Sequence, residues 1–281
     1  MADTSPHDGA LEFYDDLADT YDRIYPDWDA SIVRQAAALD ALIRRQLGPG
    51  QVRCLDCACG IGTQLIGLAA LGYVMSGTDL SPAAAARAKR ECSERGLIAD
   101  VRAADMRDLP HDDAGFDAVV CADNSLPHLL TDADVLQALR EMRRVSRPGA
   151  VIVITTRDYD GVLTERPTTA PVQRSSEGEQ RTVTTQLWDW RAGSNVYDLT
   201  HLQMREVQPG QWEATTRTTS YRAWSRSELS TRNSRWPARC AVGGPCGERV
   251  LPARHARAPL IAITTLPPTH MVGRLPAVPH A

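Results

Sequence analysis

Asp56-Cys57-Ala58-Cys59-Gly60-Ile61-Gly62 ends one short apolar run and opens a helical one, and Gly77-Thr78-Asp79-Leu80-Ser81 ends the next. Gly60 and Gly62 can take positive φ and let the backbone approach a ligand closely. Amide donors at the start of the following helix suit a carboxylate or another anion. Asp56 can hold an ammonium group or fix the loop. Asp79 stands where an acid binds a ribose diol in a doubly wound sheet, and equally where a helix N-terminal acid would sit beside a Ser81 cap. Leu65 occupies the place of a third glycine, so the Gly-x-Gly-x-x-Gly of nicotinamide-binding domains is not met. Further on, Asp105 and Met106 offer a carboxylate to an exocyclic adenine amine and an amide to a ring nitrogen; the plainer reading is a solvated loop acid. These residues describe a pocket for an extended, charged, nucleotide-like cofactor.

Two later segments face the same edge. Asp123-Asn124-Ser125-Leu126-Pro127-His128-Leu129 follows a fourth strand, and Thr156-Arg157-Asp158-Tyr159-Asp160 a fifth. The planar fork of Arg157 suits a substrate carboxylate, or it pairs on the surface with Asp158 or Asp160. His128 titrates near neutrality and is available as a base, or it caps the loop.

The elements that must position these groups read from periodicity. Apolar residues recur at helical spacing from about Leu11 to Leu47, giving two helices broken near Pro26 and stopped by Gly48-Pro49-Gly50, behind a disordered stretch up to about residue 10. Short apolar strands at 52–56, 73–78, 98–104, 116–122 and 151–154 alternate with helices, one opened by Ser81-Pro82 and another by Thr131. That alternation means an α/β, doubly wound, Rossmann-like parallel sheet. After Asp160, three segments rich in Thr, Val, Tyr and Trp (182–190, 196–207 and 212–224) read as an inserted antiparallel meander. The domain boundaries are 1–50 for an N-terminal helical cap, 51–160 for the sheet core, 161–231 for the β insertion and a helix start, and 232–281 for a tail.

The bulk numbers exclude some functions. The chain has 281 residues, 43% of them hydrophobic, and a net charge of −4, without the basic face that nucleic acid requires. No apolar run reaches the roughly 18 residues of a membrane span, and the polar, acidic start Met1-Ala2-Asp3 is unlike a secretory signal. A cytoplasmic protein is expected, with small molecules as partners and its oligomeric state open. Seven cysteines form no disulfide framework, and Cys54-x-x-Cys57 lacks the second pair a zinc site needs, so no metal is expected.

These motifs resemble the class I S-adenosylmethionine-dependent methyltransferases over roughly Leu11 to Leu229. Asp56-x-x-Cys59-Gly60-x-Gly62 looks like the family's first motif, Asp79 and Leu80 like its ribose segment, and Asp105-Met106 like its adenine pair. The resemblance implies S-adenosylmethionine as cofactor, its methionyl part held near Ala58, Gly60 and Asn124, with Arg34 reaching the carboxylate. Asn-Ser-x-x-His-Leu at Asn124 and Arg-x-Tyr-Asp at Arg157 are similar to the glycine and glycine/sarcosine N-methyltransferases. That likeness implies that Arg157 clamps a substrate carboxylate, that Asn124 and His128 line the acceptor site, that Tyr21 lies near the methyl group and that Tyr221 reaches the site from the inserted sheet. Leu199, after Asp198, departs from a tyrosine in those enzymes.

The expected function is methyl transfer to a small molecule, at an amine nitrogen of a carboxylate-bearing compound such as glycine or sarcosine. One alternative is an O-methyltransferase of a sugar or natural product with His128 as base; another is a binding protein inactivated by a disrupted C-terminus. In 232–281 one acid, Glu248, stands against seven arginines and eight prolines. This tail reads as aberrant, out of frame or a disordered Pro/Arg-rich segment, which would leave the fifth strand as an open edge.

Overall fold

The computed structural model describes residues 6–177, 180–229, 239–243, 249–250 and 260–265. The chain opens with α1 (Pro6–Leu17), a 3-10 segment (Ala18–Ile24) and α2 (Trp28–Leu47), and continues through β1 (Arg53–Asp56), α3 (Thr63–Ala70), β2 (Val74–Asp79), α4 (Pro82–Glu94), β3 (Ala99–Ala103), β4 (Phe116–Cys121), α5 (Asp132–Val145) and β5 (Ser146–Thr156). The disorder expected up to about residue 10 is corrected for residues 6–10, and residues 1–5 lie outside the described residues. α1 starts at Pro6, where proline suits a first helical turn, and Ala10, Phe13 and Leu17 bury its inner side.

The five strands pair in parallel in the order β5-β4-β1-β2-β3. The central strands β1, β4 and β5 bury residues on both faces, alternating between them. Cys54, Ala118, Val120, Val151 and Val153 join one core with Ile32 and Leu39 of α2, Leu65 of α3 and Ala88 of α4. Leu55, Val119, Cys121, Ile152 and Ile154 join another with Val135, Leu139 and Met142 of α5. Side-chain caps fix where helices begin: Asp27 accepts from Ala30 N, Ser81 from Ala84 N and Thr131 from Asp134 N. The chain runs outward in opposite directions from β1 and β4, so a crevice opens between their carboxyl ends.

After α6 (Tyr159–Glu165) comes the inserted sheet, β6 (Gln173–Glu177), β7 (Gln180–Trp190), β8 (Val196–Gln208) and β9 (Gln211–Arg222), antiparallel in that order. It has four strands rather than three, because Gln173–Glu177 is too polar to show an alternating pattern. Its inward side chains Trp188, Tyr197, Leu199 and Tyr221 pack with Phe13 and Leu17 of α1 and with Tyr159. The insertion thus rests on the N-terminal cap.

The tail adds β10 (Arg239–Gly243), β11 (Arg249–Val250) and β12 (Leu260–Thr265). β12 lies parallel to β5 from Leu260↔Val151 to Thr265↔Thr156, β10 is parallel to β12, and β11 is antiparallel to β10. A segment expected to stay irregular therefore contributes strands, and β5 is covered. The run Leu260-Ile261-Ala262-Ile263 finds an equally apolar row to pair with. The remainder of 232–281 lies outside the described residues. No described helix is long and apolar enough to cross a membrane.

Candidate active site

A cavity lies at the carboxyl ends of β1, β2 and β4, beneath the N-terminal cap. The β1–α3 loop forms its floor. Gly60 has φ +51° and a Cβ there would meet nothing within 4 Å, so the backbone borders open space. Gly62, at φ +99°, turns the chain into α3 and lies behind Gly60, where a Cβ would press on Ile66 and Ala88. Thr63 and Gln64 bring the first turn of α3 to the cavity, held from α2 by Trp28 Nε1 donating to Thr63 Oγ1 (2.8 Å) and by Gln64 Nε2 donating to Gln35 Oε1 (2.6 Å).

The acids flank this loop. Asp79 lines the cavity while accepting from Gly60 N (2.7 Å) and Ser81 N (2.9 Å), so it both pins the glycine turn and sits at the start of α4. Leu80, Asp105 and Met106 line the same side, with Asp105 paired to Arg107 at 2.6 Å. Asp56 is fully buried under Ala58 and does not itself line the cavity, and its Oδ2 has no hydrogen-bond partner among the described residues. Burial pushes its carboxyl up to about 7; the Ala58 amide opposes this, and the charges of Asp79 and Asp123 add to it. An orphaned buried carboxylate oxygen beneath a glycine cradle fits an ammonium-bearing ligand.

At the other end, Asp123 and Asn124 both take left-handed backbone (φ +52° and +70°) after β4. Asp123 N donates to Thr155 Oγ1 (2.9 Å) and Asn124 N to Thr155 O (3.2 Å), tying this turn to β5. Asn124 Oδ1 accepts from Arg157 N (3.2 Å), whereas its buried Nδ2 has no partner among the described residues. His128 lines the cavity with Nε2 2.8 Å from the Tyr14 hydroxyl, which is 3.2 Å from that of Tyr221. His128 Nδ1 lies 3.5 Å from Thr219 Oγ1 and also meets the Ser220 backbone. Desolvation drives the imidazole down to about 3, against the pull of the Ser220 contact and aided by the charge of Arg157. His128 is therefore neutral near pH 7, and its Nε2 is occupied by Tyr14.

Arg157 does not line the cavity. Its half-buried guanidinium lies 4.7 Å from the Trp188 ring centre and 5.7 Å from that of Tyr221. It donates to Tyr197 Oη (3.2 Å) and Gln186 Oε1 (3.1 Å), and it makes no ion pair among the described residues. The surface pairing open to it in sequence goes elsewhere: Asp158 and Asp160 both face Arg226. Tyr221 stands with Arg157 in this second layer, stacked on Tyr197 at 5.6 Å. Tyr21 lines the cavity. Arg34 does not: it is exposed on α2 and donates to Ser31 Oγ.

Sequence reasoning missed Tyr14, Tyr25 and Asp123, all of which line the cavity. Tyr14 follows Phe13 and stands one helical turn before Leu17, and reads as core. Tyr25 Oη donates to Asp123 Oδ2 at 2.8 Å, a contact across 98 positions that no local pattern announces. Tyr197 was also missed, although its alternation with Leu199 on β8 marks an inward face. Cys54, Cys57, Cys59, Cys92 and Cys121 are buried free thiols.

Residues 54–149 match the family model of a methyltransferase domain. The chain is similar to a glycine/sarcosine N-methyltransferase of Parasynechococcus marenigrum, 35% identical over 153 residues that cover 54% of this chain and 53% of that one. It is also similar to a dTDP-3-amino-3,6-dideoxy-alpha-D-glucopyranose N,N-dimethyltransferase of Streptomyces fradiae, 33% identical over 155 residues covering 55% and 58%. The chain thus spans about half the length of the curated relatives it matches. Among solved structures, a SAM-bound amino pentose methyltransferase from Micromonospora echinaspora superposes with a TM-score of 0.61 at 21% identity, covering 78% of this chain and 89% of that one. The fold is that of the class I methyltransferases.

Proposed function

We propose, on the premise that residues 54–149 are a methyltransferase domain, that the chain transfers a methyl group from S-adenosylmethionine to an amine nitrogen of a small, carboxylate-bearing molecule. When bound, S-adenosylmethionine supplies a methyl carbon already activated by a sulfonium. The residues present fit it: Asp56 offers its orphaned oxygen to the ammonium, the Gly60 turn and the first turn of α3 receive the carboxylate, and Asp79, Leu80, Asp105 and Met106 border the nucleoside side. Tyr14, Tyr21 and Tyr25 close the cavity from the cap and exclude water. Alignment of the two reacting centres is the protein's main contribution, worth about 7–11 kcal/mol in ideal cases.

The observation that carries the acceptor class is Arg157. Arg157 stands outside the cavity lining, over the Tyr221 ring whose hydroxyl meets the lining residue Tyr14; a half-buried guanidinium in an aromatic enclosure, without a carboxylate of its own among the described residues, suits a substrate carboxylate that extends past that lining. An acceptor hydroxyl would need a base, and His128 is a weak one, its proton affinity lowered by desolvation and its Nε2 engaged by Tyr14. An amine needs only to lose its proton to solvent before it attacks.

The test is Arg157→Lys beside the wild type, with glycine, sarcosine and neutral amines as acceptors. Losing the bidentate contact is expected to raise KM for carboxylate-bearing amines on the order of 10- to 100-fold, with S-adenosylhomocysteine affinity unchanged. An equal effect on neutral amines would refute the clamp. Transfer to hydroxyls alone would favour the O-methyl reading, and binding without transfer to any acceptor would leave a binding protein.

A further inference from the structure

We infer that Tyr25 is the door of the cavity, and that the cofactor and its product pass it to reach an outer cleft beside the inserted sheet. This rests on reading the cavity as a methyl-transfer site and names the route that serves it. The cleft lies between the turn at Pro26 and strands β6 and β7, where Ser175, Ser176 and Thr182 line it. Tyr25 lines the cleft and the cavity alike, and among the described residues it is the one that the two linings share. Its side chain is therefore a partition between them, although the residue is only 2% exposed.

The three tyrosines of the cap are held in different ways. Tyr14 and Tyr21 pack against the apolar cluster of Phe13 and Leu17, and Tyr21 also against Ala18, Ile61 and Ala84. Moving either ring exposes packed apolar surface to water. Tyr25 belongs to none of the apolar clusters formed by the described residues. Its hydroxyl holds it instead: Oη donates to Asp123 Oδ2 (2.8 Å) and meets Thr63, whose Oγ1 accepts from Trp28 Nε1 (2.8 Å). These bonds latch the cap to two rims of the cavity, the first turn of α3 and the turn after β4. Hydrogen bonds exchange with water at a small net cost, so a latch of this kind opens more readily than a packed core. The backbone allows the movement. Tyr25 stands in extended conformation (φ −95°, ψ 137°) between the 3-10 segment and α2, with Pro26 next in the chain. A few dihedrals at such a joint swing the ring without unpacking either helix.

Tyr25→Phe keeps the ring and removes the latch. Stopped-flow tryptophan fluorescence on the full chain reads the association and dissociation rates of S-adenosylhomocysteine. Both are expected to rise together by about tenfold, the effect of losing one hydrogen bond to a charged acceptor, with Kd unchanged. Deleting a simple ligand contact would speed dissociation alone and weaken Kd. An association rate at or below the wild-type value therefore overturns the inference. Ser176→Trp tests the route, because Ser176 is exposed in the cleft and does not line the cavity. Its bulky ring is expected to slow both rates by a common factor with Kd unchanged; wild-type rates in this variant put the passage elsewhere and overturn the route. In either case the methyl-transfer reading stands. Failure of the wild type to bind S-adenosylhomocysteine removes that reading first, and the inference with it.

Discussion

Asp56 shows how one residue links sequence, burial and ligand. Its carboxyl is raised to about 7 in the fold, against about 3.9 for an unperturbed aspartate. A raised acid binds its proton more tightly when folded, so its contribution to stability is full below about pH 4 and declines as pH rises towards about 7. Urea unfolding of the ligand-free protein should show that decline, and Asp56→Asn should flatten it. An ammonium placed on Oδ2 favours the carboxylate and expels the proton. Binding of S-adenosylhomocysteine at about pH 6 is therefore expected to release up to roughly one proton, and at about pH 8.5 none. Titration in two buffers of different ionisation enthalpy reads this directly; equal proton release at both values would contradict the assigned role. His128 carries the opposite shift: desolvation lowers its affinity for a proton, so the imidazole stays neutral and is a weak base.

At the scale of elements, the floor of the cavity depends on how closely α2 approaches α3. A Cβ at Gly67 would lie 2.5 Å from Ala36 Cβ and 2.8 Å from the Ile32 carbonyl oxygen. Gly67→Ala gains about 1 kcal/mol of helix propensity, yet it forces two helices apart and is expected to cost about 1–3 kcal/mol net. The same shift would loosen the contacts from Trp28 to Thr63 and from Gln35 to Gln64 that aim α3 at the ligand. Denaturant unfolding should show the loss, and calorimetry a weaker affinity for S-adenosylhomocysteine; a variant as stable as wild type would show that this approach is not tight. The cap is tied down separately. Asp15 of α1 accepts from Ser81 Oγ and from Ala83 N (3.1 Å) at the start of α4, and Arg87 donates to Ala18 O (2.7 Å) and pairs with Asp22 (2.8 Å). These contacts set Tyr14 and Tyr21 over the cavity.

Across the whole molecule, the site lies at the crevice between β1 and β4, while the tail strands lie beyond β5. The two functions of the sheet, presenting a site and closing an edge, are thus separated in space. Removing residues 230–281 uncovers the row Val151–Thr156, which β12 covers, and bare apolar edges pair with one another. The truncated chain is expected to self-associate by light scattering while retaining S-adenosylhomocysteine binding. A truncated chain that stays monomeric would show that β12 protects nothing.

Most of the sheet was legible in sequence, because period-two and period-3.6 patterns are local consequences of burying one or two faces. The glycine loop and its two acids were legible too, since adjacent residues on one strand–loop–helix unit impose their own geometry. Pairings between distant segments were not: Tyr25 with Asp123, Tyr14 with His128, and Arg157 with the rings of Trp188 and Tyr221. Nor could sequence show that Arg34 points away or that His128 is neutral, because exposure and desolvation depend on what the rest of the chain packs against each side chain. The residues alone determined a parallel sheet with a cofactor crevice. Only the folded chain decided which charged groups face that crevice, because charge is expressed through burial, and burial belongs to the tertiary structure.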